Sequence, residues 1–217
     1  MSAARGTVTG VNGNMVSVEV DGQISLNEVG YVIVDDKRLK SEVIRVRGSQ
    51  VELQVFELTT GIGVGDPVEF SGEMLAVELG PGLLGQVYDG LQNPLPQLAE
   101  QSGFFLTRGL YLSPLDHEKR WTFTPKVKPG DRLLAGDTIG TVPEGIFEHR
   151  IMLPFAFPGS GTVTWLAEKG DYPVRDVIAR ISDEAGAEHE VRMSFQWPVK
   201  RAVQTYKRRL RPTEPMI

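Results

Sequence analysis

The stretch "TVTGVNGNMVSVEV", Thr7–Val20, contains the pattern that decides the fold class. In its second half Val16 and Val18 alternate with polar residues, which is the period-two pattern of a half-buried β-strand. The Asn12-Gly13 dipeptide before this strand tolerates a positive φ and is typical of a tight hairpin turn. The stretch therefore predicts two antiparallel strands joined by a short turn.

The same hairpin pattern returns in "EVIRVRGSQVELQVFE", where apolar and polar residues alternate around a Gly48-Ser49 turn. The glycine-rich loop "TTGIGVGDPV" then leads into a short strand that ends near Phe70. Several short strands with turns between them predict a small closed barrel, because closure removes exposed strand edges. We expect residues 1–71 to form this N-terminal β-barrel, with a structural or assembly role.

Composition excludes several classes of protein. The 217 residues include no cysteine, which excludes disulfides, zinc fingers and iron–sulfur clusters, and His117, His149 and His189 show no metal-ligand spacing. No apolar run is long enough to span a bilayer, and the first residues lack the apolar core of a signal peptide. We therefore expect a soluble, cytoplasmic protein with no direct membrane insertion.

Charge argues against a nucleic-acid partner, since the net charge is −5. The local exception is the run "KRAVQTYKRRLR", Lys200–Arg211, which carries six basic residues and no acidic one. Phosphate or acidic lipid is one possible partner of such a run. A solvated or subunit-contacting segment is the interpretation we favour.

Gly80, Gly82 and Gly85 form a G-x-G-x-x-G sequence after an apolar run, which raises the hypothesis of a dinucleotide site. Such a site needs a long helix after the third glycine and an acidic residue that ends the next strand. Here prolines and Gly90 interrupt any helix, and Pro81 removes an amide from the loop. The sequence therefore predicts turn glycines and no cofactor site.

Three stretches carry a resemblance to a known family. They are "ELGPGLLGQVYDGLQNPL" (Glu78–Leu95), "LTRGLYLSPLDHEKRWTFTPKVKPGD" (Leu106–Asp131) and "FQWPVKRAVQTYKRRLRPTEPMI" (Phe195–Ile217). They resemble the catalytic A (alpha) subunit of V-type and archaeal-type rotary ATPases over essentially the whole chain. In that family the first stretch links an N-terminal barrel to the nucleotide-binding domain, and a large insertion separates the other two.

The insertion contains an internal sequence repeat. "KPGDRLLAGDTIGTV" (Lys128–Val142) is followed by "EKGDYPVRDVIARI" (Glu168–Ile181), each with Gly-Asp, a spacer, an Asp and a strand. Two such units resemble the barrel-sandwich hybrid of biotinyl and lipoyl carrier domains. The turn between them, "LPFAFPGSGTV", has no lysine to attach a prosthetic group. We expect a β-rich bulge domain over residues 113–187, with a core that includes Leu133, Ile139, Val142, Val163, Val177 and Ile181, and with Trp121, Trp165 and Trp197 packed inside.

The resemblance implies four parts: the barrel (1–71), a linker that begins the nucleotide-binding domain (72–112), the bulge (113–187) and a return segment (188–217). The fold is expected to be mainly β, with helix near Leu95–Gln101. The family hydrolyses or synthesises ATP coupled to proton or sodium transport, using Mg-ATP bound at a G-x-x-x-x-G-K-[ST] loop. Gly-Lys occurs nowhere in these residues. We therefore predict no catalytic, cofactor-binding or metal-binding residue in this chain.

The resemblance also implies partners. In the family, A and B subunits alternate in a ring, peripheral stalk subunits lie outside it, and the assembly is attached peripherally to the membrane. We expect this chain by itself to be monomeric and not to be an ATPase. The alternative from another class is a free-standing β-rich binding or carrier-like module.

Overall fold

The computed structural model describes residues 4–103 and 105–203, which form two compact units. The first unit runs through Val77 and also takes in Val87–Ser113 and Pro198–Lys200. The second takes in Glu78–Gln86 and Pro114–Trp197. The described residues are mainly β, with sixteen strands and one helix. The predicted mainly-β fold class is confirmed.

The first unit contains a closed six-stranded barrel. Its strands follow the order β1-β2-β5-β4-β3-β6 around the barrel. They are β1 (Arg5–Asn12), β2 (Met15–Asp21), β3 (Glu28–Val34), β4 (Lys37–Arg47), β5 (Gln50–Val55) and β6 (Pro67–Met74). Every neighbouring pair is antiparallel, and β1 closes the barrel by pairing with β6.

The apolar residues of the alternating pattern fill the barrel interior, as predicted. Val16 and Val18 are fully buried, and Val8 on β1 is buried with them. The turn between β1 and β2 is Gly13-Asn14, one residue later than predicted, with Gly13 at φ 60°. The predicted Asn12 instead ends β1 and pairs with Met15. A positive φ at the first turn residue is what a type II′ hairpin turn requires, and glycine supplies it without strain.

Beyond the barrel, the first unit holds helix α1 (Leu95–Ser102), which matches the prediction of helix near Leu95–Gln101. Pro96 lies in its first turn, where a missing amide leaves no intrahelical bond unmade. Only Leu98 on this helix is buried. Two short strands, β7 (Ala76–Leu79) and β16 (Phe195–Pro198), each straddle a boundary between the units.

The second unit is built from two four-stranded sheets. One has the strand order β11-β10-β8-β13, and the other has β15-β14-β12-β9. The strands are β8 (Arg120–Pro125), β9 (Arg132–Leu134), β10 (Thr138–Glu144), β11 (Phe147–Met152), β12 (Ser160–Leu166), β13 (Gly170–Pro173), β14 (Val177–Asp183) and β15 (Glu188–Arg192).

The two sheets repeat one topology. Advancing β11, β10 and β8 by four strands gives β15, β14 and β12, which is the order of the second sheet. The last strand is exchanged: β13 pairs with β8, and β9 pairs with β12. The sequence repeat is therefore a structural repeat in which each half supplies one strand to the other half's sheet. Gly130 adopts the positive φ (95°) expected of its turn, whereas Gly170 begins β13.

The second unit has its own hydrophobic core, with Phe123, Leu153 and Ile178 among its fully buried members. Five of the six predicted core residues belong to it: Leu133, Ile139, Val142, Val163 and Ile181. The prediction for Val177 was wrong. The pairing register shifts between Val177 and Ala179, so that Ile178 is buried and Val177 is only half-buried.

Tryptophan burial was predicted correctly at two of three positions. Trp121 and Trp197 are buried, but Trp165 is 44% exposed and lies under the guanidinium of Arg180, 5.8 Å from its ring centroid. The prediction rested on the large apolar area of tryptophan, and it was wrong at Trp165, where the pairing register of β12 shifts after Val163. The position one step past a bulge therefore faces solvent.

Candidate functional site

The first unit contains a cavity of about 450 Å³. It is lined by the end of β5 and the segment after it, by the turn around Asp89, by α1 and by the segment 106–111. Val55 and Leu98 are its buried apolar members. Leu58 and Leu106 also line it and are each 75% exposed. An apolar pocket with a few converging polar groups is the usual form of a binding site.

Tyr111 is the centre of the polar network in this pocket. Its hydroxyl donates a hydrogen bond to Glu57 Oε1 and accepts one from the Lys40 amide at 2.7 Å. Glu57 Oε2 accepts a further bond from the Gly109 amide at 2.8 Å. The Nζ of Lys40 lies 4.6 Å from the Tyr111 ring centroid. The side chain thus ties the segment around Tyr111 to barrel strand β4.

The environment shifts the ionisation of two of these groups. Burial, together with the hydrogen bond to Glu57, raises the pKa of Tyr111 far above its ordinary value. Burial lowers the pKa of Lys40, and the carboxylates of Asp89 and Glu57 partly oppose that effect. Tyr111 is therefore a neutral hydrogen-bond donor at ordinary pH.

Asp89 holds the turn that lines part of the pocket. Its Oδ1 accepts hydrogen bonds from the amides of Leu91 and Asn93, at 2.9 and 2.8 Å. Its Oδ2 accepts a third from Asn93 Nδ2 at 2.8 Å. The Oδ1 of Asn93 in turn accepts the Leu112 amide at 2.8 Å. By accepting hydrogen bonds from the residues that follow it, the Asp89 carboxylate fixes the backbone of this turn, which belongs to no helix or strand.

Arg108 is the remaining charged group of the pocket. Its Nη1 donates to the carbonyl oxygens of Leu58 and Thr60, at 2.9 and 2.5 Å. Among the described residues, no acceptor bonds its Nε or Nη2. The guanidinium is thus anchored to the loop after β5 and keeps donors available.

The G-x-G-x-x-G stretch lies in the second unit, and its amides serve another side chain. Glu144 Oε1 accepts hydrogen bonds from the amides of Gly82 and Leu84, at 2.6 and 3.3 Å. Its other oxygen lies 2.6 Å from His149 Nδ1. Backbone amides that would hold a phosphate in a dinucleotide site are therefore bonded to an internal carboxylate.

The turn between the two halves of the second unit is anchored by aromatic rings. Phe155 meets Phe195 and Trp197 edge to face, with centroids 6.4 and 5.8 Å apart. Phe157 packs on the core and meets His189 at 5.1 Å. In a carrier domain this turn would present a modified lysine. Here it presents no lysine and is held down by its phenylalanines.

The other candidate positions have structural partners. His117 contacts Glu78 at 3.0 Å, and His189 contacts Asp183 at 2.8 Å. No group of three or more His, Asp or Glu side chains in the described ranges is arranged to hold a metal ion. Most of the basic run Lys200–Arg211 lies outside the described residues. Within them, Lys200 Nζ bonds Glu42 Oε2 at 2.9 Å.

Sequence reasoning placed Asp89 in a stretch that resembles a known family and Leu98 in a predicted helix, but it proposed no pocket residue as part of a site. Lys40 and Tyr111 are 71 positions apart, and Glu57 lies between them, so no short motif joins them. The available signal was "LTRG", where Arg108 stands two residues after Leu106 and directly before a glycine, outside any predicted strand or helix.

Comparison with known proteins identifies the class. Residues 8–72 match the beta-barrel domain of the ATP synthase alpha/beta family, and residues 112–200 match the ATP synthase alpha/beta subunit barrel-sandwich domain. These are the closed barrel and the two-sheet repeat described above. The chain belongs to the ATP synthase alpha/beta family.

Similarity to individual proteins is more specific than the family match. The V-type ATP synthase alpha chain of Treponema denticola is 58% identical over 217 residues, which cover 100% of this chain and 37% of the relative. Its counterpart in Borreliella burgdorferi is 54% identical over 213 residues, covering 98% of this chain and 37% of the relative. The predicted resemblance is thus confirmed along the chain, which spans little more than a third of these relatives.

Hydropathy adds one observation about membranes. Among the residues that the structure describes, no helix is both long and apolar enough to cross a bilayer.

Proposed function

We propose that this chain is the assembly part of the catalytic alpha (A) subunit of a V-type ATP synthase. The complete subunit would hydrolyse or synthesise ATP in step with proton or sodium transport. The observation that carries the proposal is 58% identity to such a subunit over all 217 residues. The barrel followed by the two-sheet repeat supports it, because both match domains of this family in this order.

The barrel is proposed to pack beside barrels of B subunits in an alternating ring. Unlike neighbours in a ring make heterologous contacts, in which two different flanks of each barrel meet different surfaces. The second unit is proposed to be the outer lobe of the subunit, within reach of a peripheral stalk. Through this assembly the chain would lie on the cytoplasmic side of the membrane. The isolated chain is expected to be monomeric at micromolar concentration.

Mg-ATP is proposed to bind in a part of the subunit other than these residues. Two observations support this division. Gly82 and Leu84 belong to the glycine-rich stretch that most resembles a phosphate loop. Their amides donate hydrogen bonds to the Glu144 carboxylate. The sequence also lacks the Gly-Lys pair whose lysine offsets phosphate charge in such loops.

Affinity purification tests the assembly role. A tag is added to the gene in its own cells, and the proteins that co-purify after gentle lysis are identified by mass spectrometry. We expect ATP synthase B and stalk subunits and Mg-dependent ATP hydrolysis. An unrelated tagged protein of similar abundance is the control. Recovery of the chain without any ATP synthase subunit would contradict the proposal and favour a free-standing binding module.

Calorimetry tests the proposal that Mg-ATP binds outside these residues. Titration of Mg-ATP into the 217-residue chain is expected to give no heat of binding at micromolar concentrations. A micromolar dissociation constant would show that these residues do hold nucleotide.

A further inference from the structure

We infer that Glu144 is a positioning residue that fastens the glycine-rich stretch, residues 80–85, to the second unit. The stretch leads to Gln86, where the chain leaves this unit, and the next residue, Val87, belongs to the first unit. The Glu144 carboxylate thereby fixes the position from which the chain leaves the second unit. The inference concerns contacts within this unit. It goes beyond the proposed function and does not depend on it.

Glu144 and Asp183 occupy equivalent positions in the two halves of the structural repeat. Glu144 is the last residue of β10, and Asp183 is the last residue of β14. Glu144 Oε2 lies 2.6 Å from Nδ1 of His149, which is on the following strand. Asp183 Oδ2 lies 2.8 Å from Nε2 of His189, which is also on the following strand. Each histidine pairs across its hairpin with the residue two positions before the carboxylate, so the two halves contain the same carboxylate–histidine pair.

The second oxygen of each carboxylate has a different partner. Asp183 Oδ1 accepts hydrogen bonds from two amides of its own four-residue turn, both at 2.9 Å. Glu144 precedes a turn of only two residues, and its Oε1 accepts the amides of Gly82 and Leu84 instead. Glutamate is longer than aspartate by a methylene group, which extends the reach of its carboxylate. A carboxylate that caps a hairpin turn in one half therefore holds a separate stretch of chain in the other half.

Two glycines of the G-x-G-x-x-G sequence let the stretch lie close to the rest of the unit. A Cβ at Gly80 would lie 2.9 Å from the Cβ of Ser194, so a side chain does not fit there. Gly82 has a φ of 109°, which favours glycine. Leu83 packs against the core of the second unit. The motif is thus explained by docking of the stretch on its own unit.

The carboxylate adds a directional contact to this packing. The two amides that it accepts lie on either side of Leu83 along the chain. Glu144 is only 6% exposed, so water has little access to these bonds. Hydrogen bonds to an ionised acceptor are stronger than bonds between neutral groups. The Glu144 carboxylate should therefore limit the local opening of the backbone around Leu83.

Hydrogen exchange in the 217-residue chain tests the inference through a change of side-chain length. Glu144→Asp keeps the negative charge and shortens the side chain. We expect the Gly82 and Leu84 amides to exchange at least tenfold faster, because the shorter carboxylate no longer reaches them. The Gly130 amide, which is bonded elsewhere in the same unit, should keep its rate.

Asp183→Glu is the matched control, since it makes the converse change at the equivalent position of the other half. It should leave the exchange rates of Gly82 and Leu84 unchanged. Relaxation of ¹⁵N nuclei gives a second readout. In Glu144→Asp the order parameters of the Gly82 and Leu84 amides should fall, whereas those of β10 should not.

Two results would overturn the inference. Unchanged exchange at Gly82 and Leu84 in both Glu144→Asp and Glu144→Gln would show that packing of Leu83 is sufficient to hold the stretch. An equal acceleration at Gly130 would show that Glu144 supports the unit as a whole and does not specifically position the stretch.

Discussion

Removal of the Tyr111 hydroxyl should destabilise the first unit by about 2–4.5 kcal/mol at neutral pH. Tyr111→Phe loses the bond that the Lys40 amide donates at 2.7 Å and the bond to the Glu57 carboxylate. A neutral hydrogen bond contributes about 0.5–1.5 kcal/mol and one to a charged group about 1.5–3 kcal/mol. Tyr31→Phe is the matched control, because none of the residues that the structure describes is hydrogen-bonded to its hydroxyl, and its effect should stay within about 0.5 kcal/mol.

The cost of Tyr111→Phe should also depend on pH. Because the folded-state pKa of Tyr111 is raised, its contribution is complete below the unfolded-state pKa of about 10 and is lost as pH rises towards the folded-state pKa. Above pH 10 the wild type should lose stability through this group, because the unfolded chain releases the tyrosine proton while the folded protein keeps it. Phenylalanine has no proton to lose, so the difference between the two proteins should shrink as the pH rises from 8 to 11. Lys40 titrates in both proteins and largely cancels in the difference.

Urea unfolding followed by NMR is the suitable assay. All three tryptophans belong to the second unit, so that fluorescence would not report on the barrel. The methyl signals of Val32 and Val43, which are fully buried in the barrel, do report on it. An effect of Tyr111→Phe no larger than that of Tyr31→Phe would refute the reasoning. So would a cost that is the same at pH 8 and pH 11.

Three further predictions concern the second unit. A Cβ at Gly140 would lie 2.2 Å from Phe123 Cε2 and 2.8 Å from the Thr124 carbonyl oxygen, so Gly140→Ala should destabilise this unit by about 2–3 kcal/mol in thermal scans of tryptophan fluorescence. Gly63→Ala in the first unit, where a Cβ meets nothing within 4 Å, is the control for a glycine replacement without a clash and should leave the urea midpoint of the barrel methyl signals unchanged. Glu144→Gln should speed hydrogen exchange of the Gly82 and Leu84 amides at least tenfold, while the Gly130 amide, bonded to Val163, keeps its rate. The hydrogen bond from His189 holds the pKa of Asp183 below its usual value, so this carboxylate stabilises the fold above pH 4 and stops doing so as pH falls further. The difference in thermal midpoint between wild type and Asp183→Asn should therefore vanish in acid, and a difference that persists at pH 2 would contradict the assignment.

Local pattern carried the prediction of the fold. The alternation around Val16 and Val18 placed the barrel interior correctly because side chains of a strand point to opposite faces in turn. Burial was predicted wrongly at Trp165 and Val177, where the pairing register shifts by one residue. A bulge depends on the partner strand, and no single strand's sequence records it.

The pocket was beyond sequence reasoning for a different reason. Lys40, Glu57 and Tyr111 come together because a closed barrel and a turn held by Asp89 bring distant segments side by side. Each residue is unremarkable in its own segment, and no spacing rule joins them. The glycine motif shows the converse. Its sequence matched a cofactor site in part, and its departures, Pro81 and the missing helix, led to the prediction of turn glycines. In the structure Glu144 accepts hydrogen bonds from the Gly82 and Leu84 amides of this stretch.

The strand exchange in the second unit bears on how such a unit could evolve and on which rearrangements of its chain would still fold. Since β13 completes the first sheet and β9 completes the second, a single half would have one sheet of three strands and one strand with no sheet to join. Two copies of a half could exchange those strands between separate chains and build the same lobe as a homodimer. A gene that fused two such copies head to tail would then give the present arrangement, with the turn at Leu153–Gly159 as the junction. A circular permutant that opens this turn keeps every strand pairing intact, whereas deletion of either half leaves an unpaired edge prone to dimerise.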